Sequence, residues 1–306
     1  MEQIINHGLR PDTRTPEEKM KDFEFGGTTK VIPIILQTDG QWTNFLPAYE
    51  YQNTNFETLA CVTFSAINCL EILHKRKYCN EQNWSDRFTA KMSGTNHNGN
   101  SLYNVGESLR KLHGEVKQFL WKNNALTWDE FYKDIPQDIQ DAGLSTLNTY
   151  KIQYEWLREP FTSNVLKNAL MYSPIQIGIY AYGKLVNGIY QKPEVGQAPN
   201  HAVTLIGYKE GEYWLIFDHY LGNEIRKLAW DYTIGFAMKY DITNKDMILR
   251  KEINKPAIYL MAGGKKIKLL DMETLNAIAG NEYEEVTSLA EIPDGGTLGW
   301  YERMTD

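Results

Sequence analysis

The spacing of apolar residues changes once along this 306-residue chain, and the change limits the folds that the chain can adopt. Between residues 56 and 76, apolar side chains recur about every 3.6 positions, which is typical of a helix. From residue 175 onward, apolar and polar side chains alternate in short runs, as they do in strands, at 175–180, 202–208, 213–217 and 236–240. Helices first and strands later predict an α+β fold with an antiparallel sheet.

Breaks in these patterns predict three parts. Residues 1–47 are interrupted by prolines and glycines and are expected to form an extended arm. Residues 48–245 hold the main domain, with further helices near 84–91, 104–113 and 164–172. Residues 256–306 are expected to form a small C-terminal α/β module, because Gly263-Gly264 indicates a hairpin and Met272–Ala279 a short helix.

Composition excludes several classes of protein. The net charge of −7 gives no basic patch for nucleic acid or for an anionic membrane surface. No apolar stretch near the start is long enough to span a bilayer, and no secretory signal is visible, so a cytoplasmic location is expected. Three cysteines are too few for a disulfide framework. Cys69, His74 and Cys79 do not have the spacing of a zinc site, so we expect neither a metal nor a cofactor.

Three residues could carry chemistry. Cys61 lies within the first predicted helix, where the helix dipole would lower the pKa of its thiol, although a buried inert cysteine is the alternative. His201 begins an alternating strand and could act as a general base and acid, or could be an ordinary polar residue at a strand end. Asp218 closes the next strand and could orient the imidazole, unless it only starts a turn.

These segments together resemble the papain-like cysteine peptidases. The resemblance rests on Cys61 to Ala66 with Glu71, on Asn200 to Tyr208, and on Tyr213 to Asp218, and it spans about residues 47–242. It implies a two-lobed fold, with a helical lobe around the cysteine and an antiparallel β-barrel lobe that carries the histidine. It also implies a peptide or protein substrate in the cleft between the lobes.

The resemblance implies a role for each site residue. Cys61 would attack the substrate, His201 would transfer the proton and Asp218 would orient the ring. Gln52 would stabilise the oxyanion, and it is preferred over Asn55 although it lies further from the cysteine. Substrate backbone would be bound at two further residues, Gly99 and Asn200.

The chain departs from the family in three places. Thr58-Leu59-Ala60 stands where the family has Cys-Gly-Ser, and the bulkier Leu59 is expected to narrow the cleft. Asp218-His219-Tyr220 stands where the family has Asn-Ser-Trp, and His219 is expected to point away from the site. The arm is shorter than the family's inhibitory pro-segment, for which we expect no counterpart.

Three functions remain open on sequence grounds. The leading hypothesis is a cysteine peptidase that works through an acyl-enzyme. The second is a papain-like scaffold in a larger assembly such as a bacteriophage virion, bound to partners through the arm and the C-terminal module. The third is transglutaminase or amidase chemistry, which would use the same residues with a different acceptor.

Overall fold

The structure is a computed structural model that describes residues 7–25, 35–78, 80–194, 196–220, 224–244, 248–262, 265–270, 284–286, 288, 290 and 294–298. The chain divides into two compact units. The larger unit contains Met1–Lys30, Ile35–Leu147 and Ile152–Ile242, and the smaller contains Val31–Ile34, Asn148–Lys151 and Thr243–Asp306. The predicted arm therefore belongs for the most part to the larger unit.

Most of the helices of the described chain lie before residue 150, and most of them are short. Ser or Thr side chains cap five of them by accepting a backbone N–H, as at Ser85 and Ser101. The helices are α1 (Pro16–Lys19), α2 (Cys61–Tyr78), α3 (Asp86–Met92), α4 (Leu102–Glu107, continued by a π-helical turn at Ser108–Leu112), α5 (Trp128–Phe131), α6 (Gln137–Thr149) and α7 (Ser163–Leu170).

A mainly antiparallel sheet of eight strands forms the other side of the larger unit, which confirms the α+β prediction. Its strands lie in the order β1-β8-β2-β5-β6-β7-β4-β3. They are β1 (Tyr150–Trp156), β2 (Ile175–Ile179), β3 (Leu185–Val186), β4 (Ile189–Tyr190), β5 (His201–Lys209), β6 (Tyr213–Phe217), β7 (Ile225–Ala229) and β8 (Ile234–Asn244).

The central helix α2 is buried along its first fourteen residues and packs against β2 and β5. Its polar side chains and carbonyls are bonded to the sheet. Gln176 Nε2 donates to the carbonyl oxygen of Val62 at 2.7 Å, and Thr204 Oγ1 donates to that of Ser65 at 3.0 Å. Because these bonds fix the helix against the sheet, the start of α2 is held at the end of the sheet where β5 begins.

The start of α2 differs from the prediction, since the helix begins at Cys61 and not at residue 56. Leu59 has a left-handed backbone (φ +56°), and its N–H donates to the Glu57 carboxylate at 2.9 Å. A helix cannot continue through a left-handed residue, so residues 56–60 form a turn. This turn makes Cys61 the first residue of the helix.

The smaller unit contains a second sheet of five short strands in the order β12-β9-β10-β11-β13. The strands are β9 (Ile248–Glu252), β10 (Ile258–Ala262), β11 (Lys265–Leu269), β12 (Glu284–Val286) and β13 (Asp294–Leu298). β10 and β11 pair antiparallel, with Ala262 opposite Lys265, as the hairpin prediction requires. Gly263-Gly264, the predicted helix Met272–Ala279 and Cys79 lie outside the described residues. Within the described part of the chain, no helix has the length and apolar character needed to cross a membrane.

Candidate active site

The termini of four neighbouring strands lie side by side at one end of the larger sheet. β5 is antiparallel to both β2 and β6, and β7 is antiparallel to β6. The ends of β2 and β6 therefore lie beside the starts of β5 and β7. This topology brings His201, the first residue of β5, next to Asp218, which follows the last residue of β6.

His201 and Asp218 are both fully buried and are bonded to each other. His201 Nε2 lies 2.9 Å from Asp218 Oδ1, which also accepts the backbone N–H of His219 at 2.8 Å. Asp218 Oδ2 accepts the hydroxyl of Tyr182 at 2.5 Å. Burial alone would raise the pKa of Asp218, but His201, His219 and Arg226 together lower it below its usual value. The carboxylate is therefore held as an anion.

The Cys61 thiol lies at the start of β5, fully buried, where the backbone N–H of Ala202 donates to it. Burial raises the pKa of this thiol well above its usual range, and the charges of Glu57 and Asp218 act in the same direction. Among the described residues, His201 Nδ1 has no hydrogen-bond partner. The sequence predicted a lowered thiol pKa from the helix dipole, and in this form of the protein that prediction is wrong, because burial outweighs the dipole.

Gln52 is fully buried at the site, whereas the rival Asn55 is exposed and donates to the carbonyl of Ala125. The Gln52 amide nitrogen donates to Glu57 Oε1 at 2.6 Å and to the Tyr220 hydroxyl at 3.0 Å. Glu57 was not expected here from the sequence, and Tyr220 was noted only as the residue that stands where the family has Trp.

His219 was expected to point away from the site, and this expectation is wrong. Its ring is fully buried, centred 5.3 Å from the ring of His201, and stacked on Phe64 of α2. Burial lowers the pKa of His219 to about 3, so its ring is neutral at neutral pH. The ring is held inward by its stacking on Phe64, and the backbone N–H of His219 donates to the carboxylate of Asp218.

A segment of the N-terminal arm, His7 to Arg10, lies across these buried residues. The His7 N–H donates to the carbonyl of Asn200 at 3.2 Å, and the His7 carbonyl accepts the Gln52 amide at 3.4 Å. On the other side of the cleft, the Asn100 N–H donates to the Gly8 carbonyl, and the Arg10 N–H donates to the Asn100 carbonyl, both at 2.7 Å. The cleft therefore binds the backbone of an extended peptide from this same chain.

Two glycines allow the arm to approach this closely. A Cβ on Gly8 (φ +106°) would lie 2.0 Å from the carbonyl oxygen of Leu59, and a Cβ on Gly99 would lie 1.8 Å from that of Gly8. The next arm residue, Leu9, is buried, with its side chain against Gly178. Only a residue without a side chain fits at position 8 while the arm is in place.

The predicted substrate-binding residues both lie beside the arm, in different ways. Asn200 accepts the His7 N–H through its carbonyl, while its side-chain oxygen accepts the N–H of Ala181 at 2.8 Å. Gly99 lets the backbone of Gly8 approach closely, and the hydrogen bonds to the arm come from the next residue, Asn100. Neither the sequence periodicity nor the resemblance pointed to the occupation of the cleft by His7 to Arg10.

Comparison of this structure with solved structures finds cysteine proteases. The cysteine protease and lectin-like domains of Cwp84, a surface layer associated protein of Clostridium difficile, match with a TM-score of 0.55 at 13% identity, over 72% of this chain and 56% of that chain. Procathepsin L 3 from the larval midgut of Tenebrio molitor matches with a TM-score of 0.52 at 12% identity, over 78% of this chain and 76% of that chain.

The chain has a papain-like cysteine protease fold. A second structure of Cwp84, solved after propeptide cleavage, matches with a TM-score of 0.54 at 14% identity, over 68% of this chain and 59% of that chain. The chain thus spans less than two thirds of the length of these Cwp84 chains. No protein-family model matches the sequence, and no curated protein matches it significantly. The papain-like fold is thus recognised from the structure.

Proposed function

We propose that this chain is a cysteine peptidase that cleaves peptide bonds through an acyl-enzyme, and that its own arm keeps it latent. Cys61 is the nucleophile, His201 the general base and acid, and Asp218 the residue that orients the ring. Gln52 stabilises the oxyanion, and the backbones of Asn200 and Asn100 hold the substrate. Peptides and proteins are the substrate class.

One observation carries the proposal: a peptide already lies in the cleft. The segment from His7 to Arg10 is bonded through its backbone on both sides of the cleft, and the His7 ring is centred 5.1 Å from that of His201. These backbone bonds do not depend on the identity of the bound side chains, so a substrate peptide can use the same donors and acceptors. A cleft with these bonds is suited to peptide main chain.

The chemistry follows from the positions of the side chains. The Cys61 thiol gives its proton to His201 Nδ1, the nitrogen that has no partner among the described residues, and the thiolate attacks the substrate carbonyl carbon. The resulting oxyanion accepts the Gln52 amide and the backbone N–H of Cys61. Collapse breaks the C–N bond, and the imidazolium protonates the departing amine. Water, deprotonated by His201, then attacks the thioester and releases the acid.

The arm accounts for the unreactive state of Cys61. With the arm in place both Cys61 and His201 are fully buried, and burial raises the pKa of the thiol. A buried neutral thiol is a weak nucleophile. Departure of His7 to Arg10 would admit water and substrate together, and ionisation of Cys61 would then cost less free energy.

Labelling with a peptidyl electrophile tests the proposal. Peptidyl epoxide is added to the full-length Gly8→Val protein, in which a Cβ at position 8 would clash with the Leu59 carbonyl oxygen so that the arm must leave the cleft, and the modified residue is identified by mass spectrometry. We expect modification of Cys61 and not of the buried Cys69, and none in a Cys61→Ala variant. Cys69→Ala is the matched control, because it removes the other buried thiol of the same helix. Equal labelling of both cysteines, or none of Cys61 in a variant without the arm contact, would exclude a peptidase site.

The complete burial of Cys61 and His201 also favours a second candidate, a papain-like scaffold in a larger assembly. In that case the arm would be a permanent part of the fold. The two candidates differ in one outcome. A scaffold would keep Cys61 unreactive after the arm contact is weakened, whereas a latent peptidase would become reactive and would cleave peptides.

A further inference from the structure

A guanidinium group lies against the outer oxygen of Asp218. Arg226 Nε is 2.8 Å from Asp218 Oδ2, on the side of the carboxylate opposite His201. The Arg226 side chain is 12% exposed and that of Asp218 is fully buried, so solvent screens this ion pair only weakly. Arg226 belongs to β7, and β7 pairs with β6, whose end carries Asp218.

Two tyrosines hold the guanidinium in this position. The Arg226 carbon Cζ lies 5.0 Å from the ring centre of Tyr182, and its Nη1 donates to the hydroxyl of Tyr190 at 3.0 Å. The two tyrosine rings are stacked on each other, with centres 4.5 Å apart. Tyr182 also donates its hydroxyl to Asp218. The cation is therefore fixed by packing and by hydrogen bonds as well as by the carboxylate.

The remaining groups near the His201 ring carry little charge at neutral pH. Burial lowers the pKa of His7 to about 4 and that of His219 to about 3, so both rings are neutral. Tyr182 and Tyr220 are neutral because burial raises their pKa values. On the sheet side, Asp218 contacts the ring and Arg226 contacts Asp218, while the Glu57 carboxylate on the helical side is bonded to Gln52 and Tyr220. The titratable and charged groups that face His201 or its immediate neighbours are Cys61 and Glu57 on the helical side, His7 on the arm, and Tyr182, Asp218, His219, Tyr220 and Arg226 on the sheet side.

We propose that Arg226 is a positioning residue that offsets the charge of Asp218, so that His201 is oriented by a carboxylate–guanidinium pair with little net charge. The inference rests on the proposed peptidase function, in which His201 must both accept and release a proton. It also explains how Asp218 can stand where the resemblance expects an asparagine: the ion pair has the acceptor oxygen of a carboxylate and approximately the net charge of an amide.

The offset of the Asp218 charge by Arg226 matters for the step in which the His201 imidazolium gives its proton to the leaving amine. An uncompensated buried carboxylate would stabilise the imidazolium strongly and would slow the transfer of its proton to the leaving amine. A cation on the far oxygen reduces this stabilisation, while the near oxygen keeps its hydrogen bond to His201 Nε2. Oδ1 of Asp218 thus orients the His201 ring, whereas Oδ2 makes the contact with Arg226 that offsets the charge of the carboxylate.

Titration of the His201 ring tests the proposal without requiring activity. The chain has six histidines, so ring signals can be followed by NMR in the full-length protein and assigned with His201→Gln. Arg226→Gln should raise the pH at which His201 titrates by about one unit. Asp218→Asn should lower it, because the guanidinium then acts alone. The double variant should return close to the natural protein, and Arg226→Lys, which keeps the charge, should change it little.

A purely structural role for Arg226 gives a different pattern. It predicts that Arg226→Gln loses stability, and that Arg226→Gln and Asp218→Asn do not shift the His201 titration in opposite directions. An unchanged His201 titration in Arg226→Gln would overturn the proposal. If Arg226→Gln does not fold, the double variant is compared with Asp218→Asn. It should titrate at the higher pH, and equal values would overturn the proposal. Absence of peptide cleavage by every protein would count against the peptidase function alone, because the titration does not depend on turnover.

Discussion

The pKa of Asp218 on the sheet side of the cleft and the pKa values of several buried acids on the helical side are shifted in opposite directions. On the sheet side, Asp218 is paired with His201 and Arg226, and its pKa is lowered. On the helical side, burial raises the pKa values of three fully buried carboxyl groups, those of Glu71, Asp86 and Glu115. Burial raises the pKa of the Cys61 thiol in the same way. Asp218 is thus held charged, whereas these three acids and the Cys61 thiol favour their neutral forms. Glu107 of α4 is an exception on the helical side, because, against the effect of burial, Arg110 and Lys111 lower its pKa to about 2.

This difference separates two requirements of the proposed reaction. The orientation of His201 is complete while the arm is in place, because every contact of Asp218 comes from the sheet side. Ionisation of Cys61 is not favourable in the same state, because the thiol is fully buried. Departure of the arm is therefore expected to expose Cys61 while the hydrogen bonds of Asp218 are kept.

The largest expected effect is on the sheet side. His201→Gln removes the only proposed proton carrier and should reduce kcat/KM for peptide hydrolysis by roughly a thousandfold. The rate is measured on a fluorogenic peptide pool, with circular dichroism to verify folding. Tyr220→Phe is the matched control, since it alters a neighbour of His201 without removing the carrier, and we expect it to lose less than His201→Gln. Equal losses in both variants would contradict the assigned role.

The next effect concerns the arm. Gly8→Val places a branched side chain where a Cβ would lie 2.0 Å from the Leu59 carbonyl oxygen, so the arm must leave the cleft. Alkylation of Cys61 by iodoacetamide should then become at least about tenfold faster, because the open form is no longer a minor state.

Gly211→Ala is the matched control for this variant. Gly211 also has a positive φ, of +70°, and a Cβ there would meet nothing within 4 Å. It therefore imposes a similar backbone strain without affecting the cleft. If Gly8→Val leaves the alkylation rate at the value of the natural protein, the arm does not control Cys61.

A smaller effect should follow pH through His7. Burial, with a further contribution from His201, lowers the pKa of His7 to about 4 from its ordinary 6.5. The docked arm therefore favours the neutral ring. Its stability is full above pH 6.5 and is lost as the pH falls through about 4. Opening of the arm, measured by hydrogen exchange at the Asn100 amide, should increase by about threefold between pH 7 and pH 6. His7→Gln should remove this pH dependence, and its persistence in that variant would assign it to another group.

The smallest effect lies in the helical side itself. Burial raises the pKa of Glu115 to about 8, so its contribution to stability is full below pH 4.5 and is lost as the pH rises through about 8. Glu115→Gln should increase the free energy of unfolding at pH 8, relative to the natural protein, by on the order of 2 kcal/mol. The difference should vanish near pH 5, as measured by urea denaturation. The exposed Glu17→Gln should show no such pH dependence, and the same curve in both variants would contradict the explanation.

The sequence predicted the parts of this site that follow from local pattern. Cys61, His201 and Asp218 each lie at the boundary of a helix or strand with clear periodicity, and it was the resemblance to the papain-like peptidases that grouped them into one site. The first turn of α2 was misplaced because Leu59, a residue without a turn signal, takes a left-handed backbone. The inward position of the His219 ring was missed because the ring packs on Phe64, which is far away along the chain, and periodicity does not report such a contact.

The contacts that decide the state of the site are long-range, and no local pattern could predict them. His7 and Gly8 lie far along the chain from Asn200 and Asn100, and only the folded cleft brings them together. The pairing of Arg226 with Asp218 depends on the register of β6 against β7. The buried acids Glu71 and Glu115 carry no sequence signal of burial, because a glutamate in a helix or turn is usually exposed.

Digestion of a mixed peptide library tests the central claim most directly. The library is incubated with the Gly8→Val protein and with a Cys61→Ala/Gly8→Val protein, and new peptide ends are identified by mass spectrometry. We predict new ends with the first protein, fewer with the natural protein, and none with the variant that lacks Cys61. A Gly8→Val protein in which Cys61 reacts with iodoacetamide but which produces no new peptide ends would contradict the assignment of this cleft as a peptidase site.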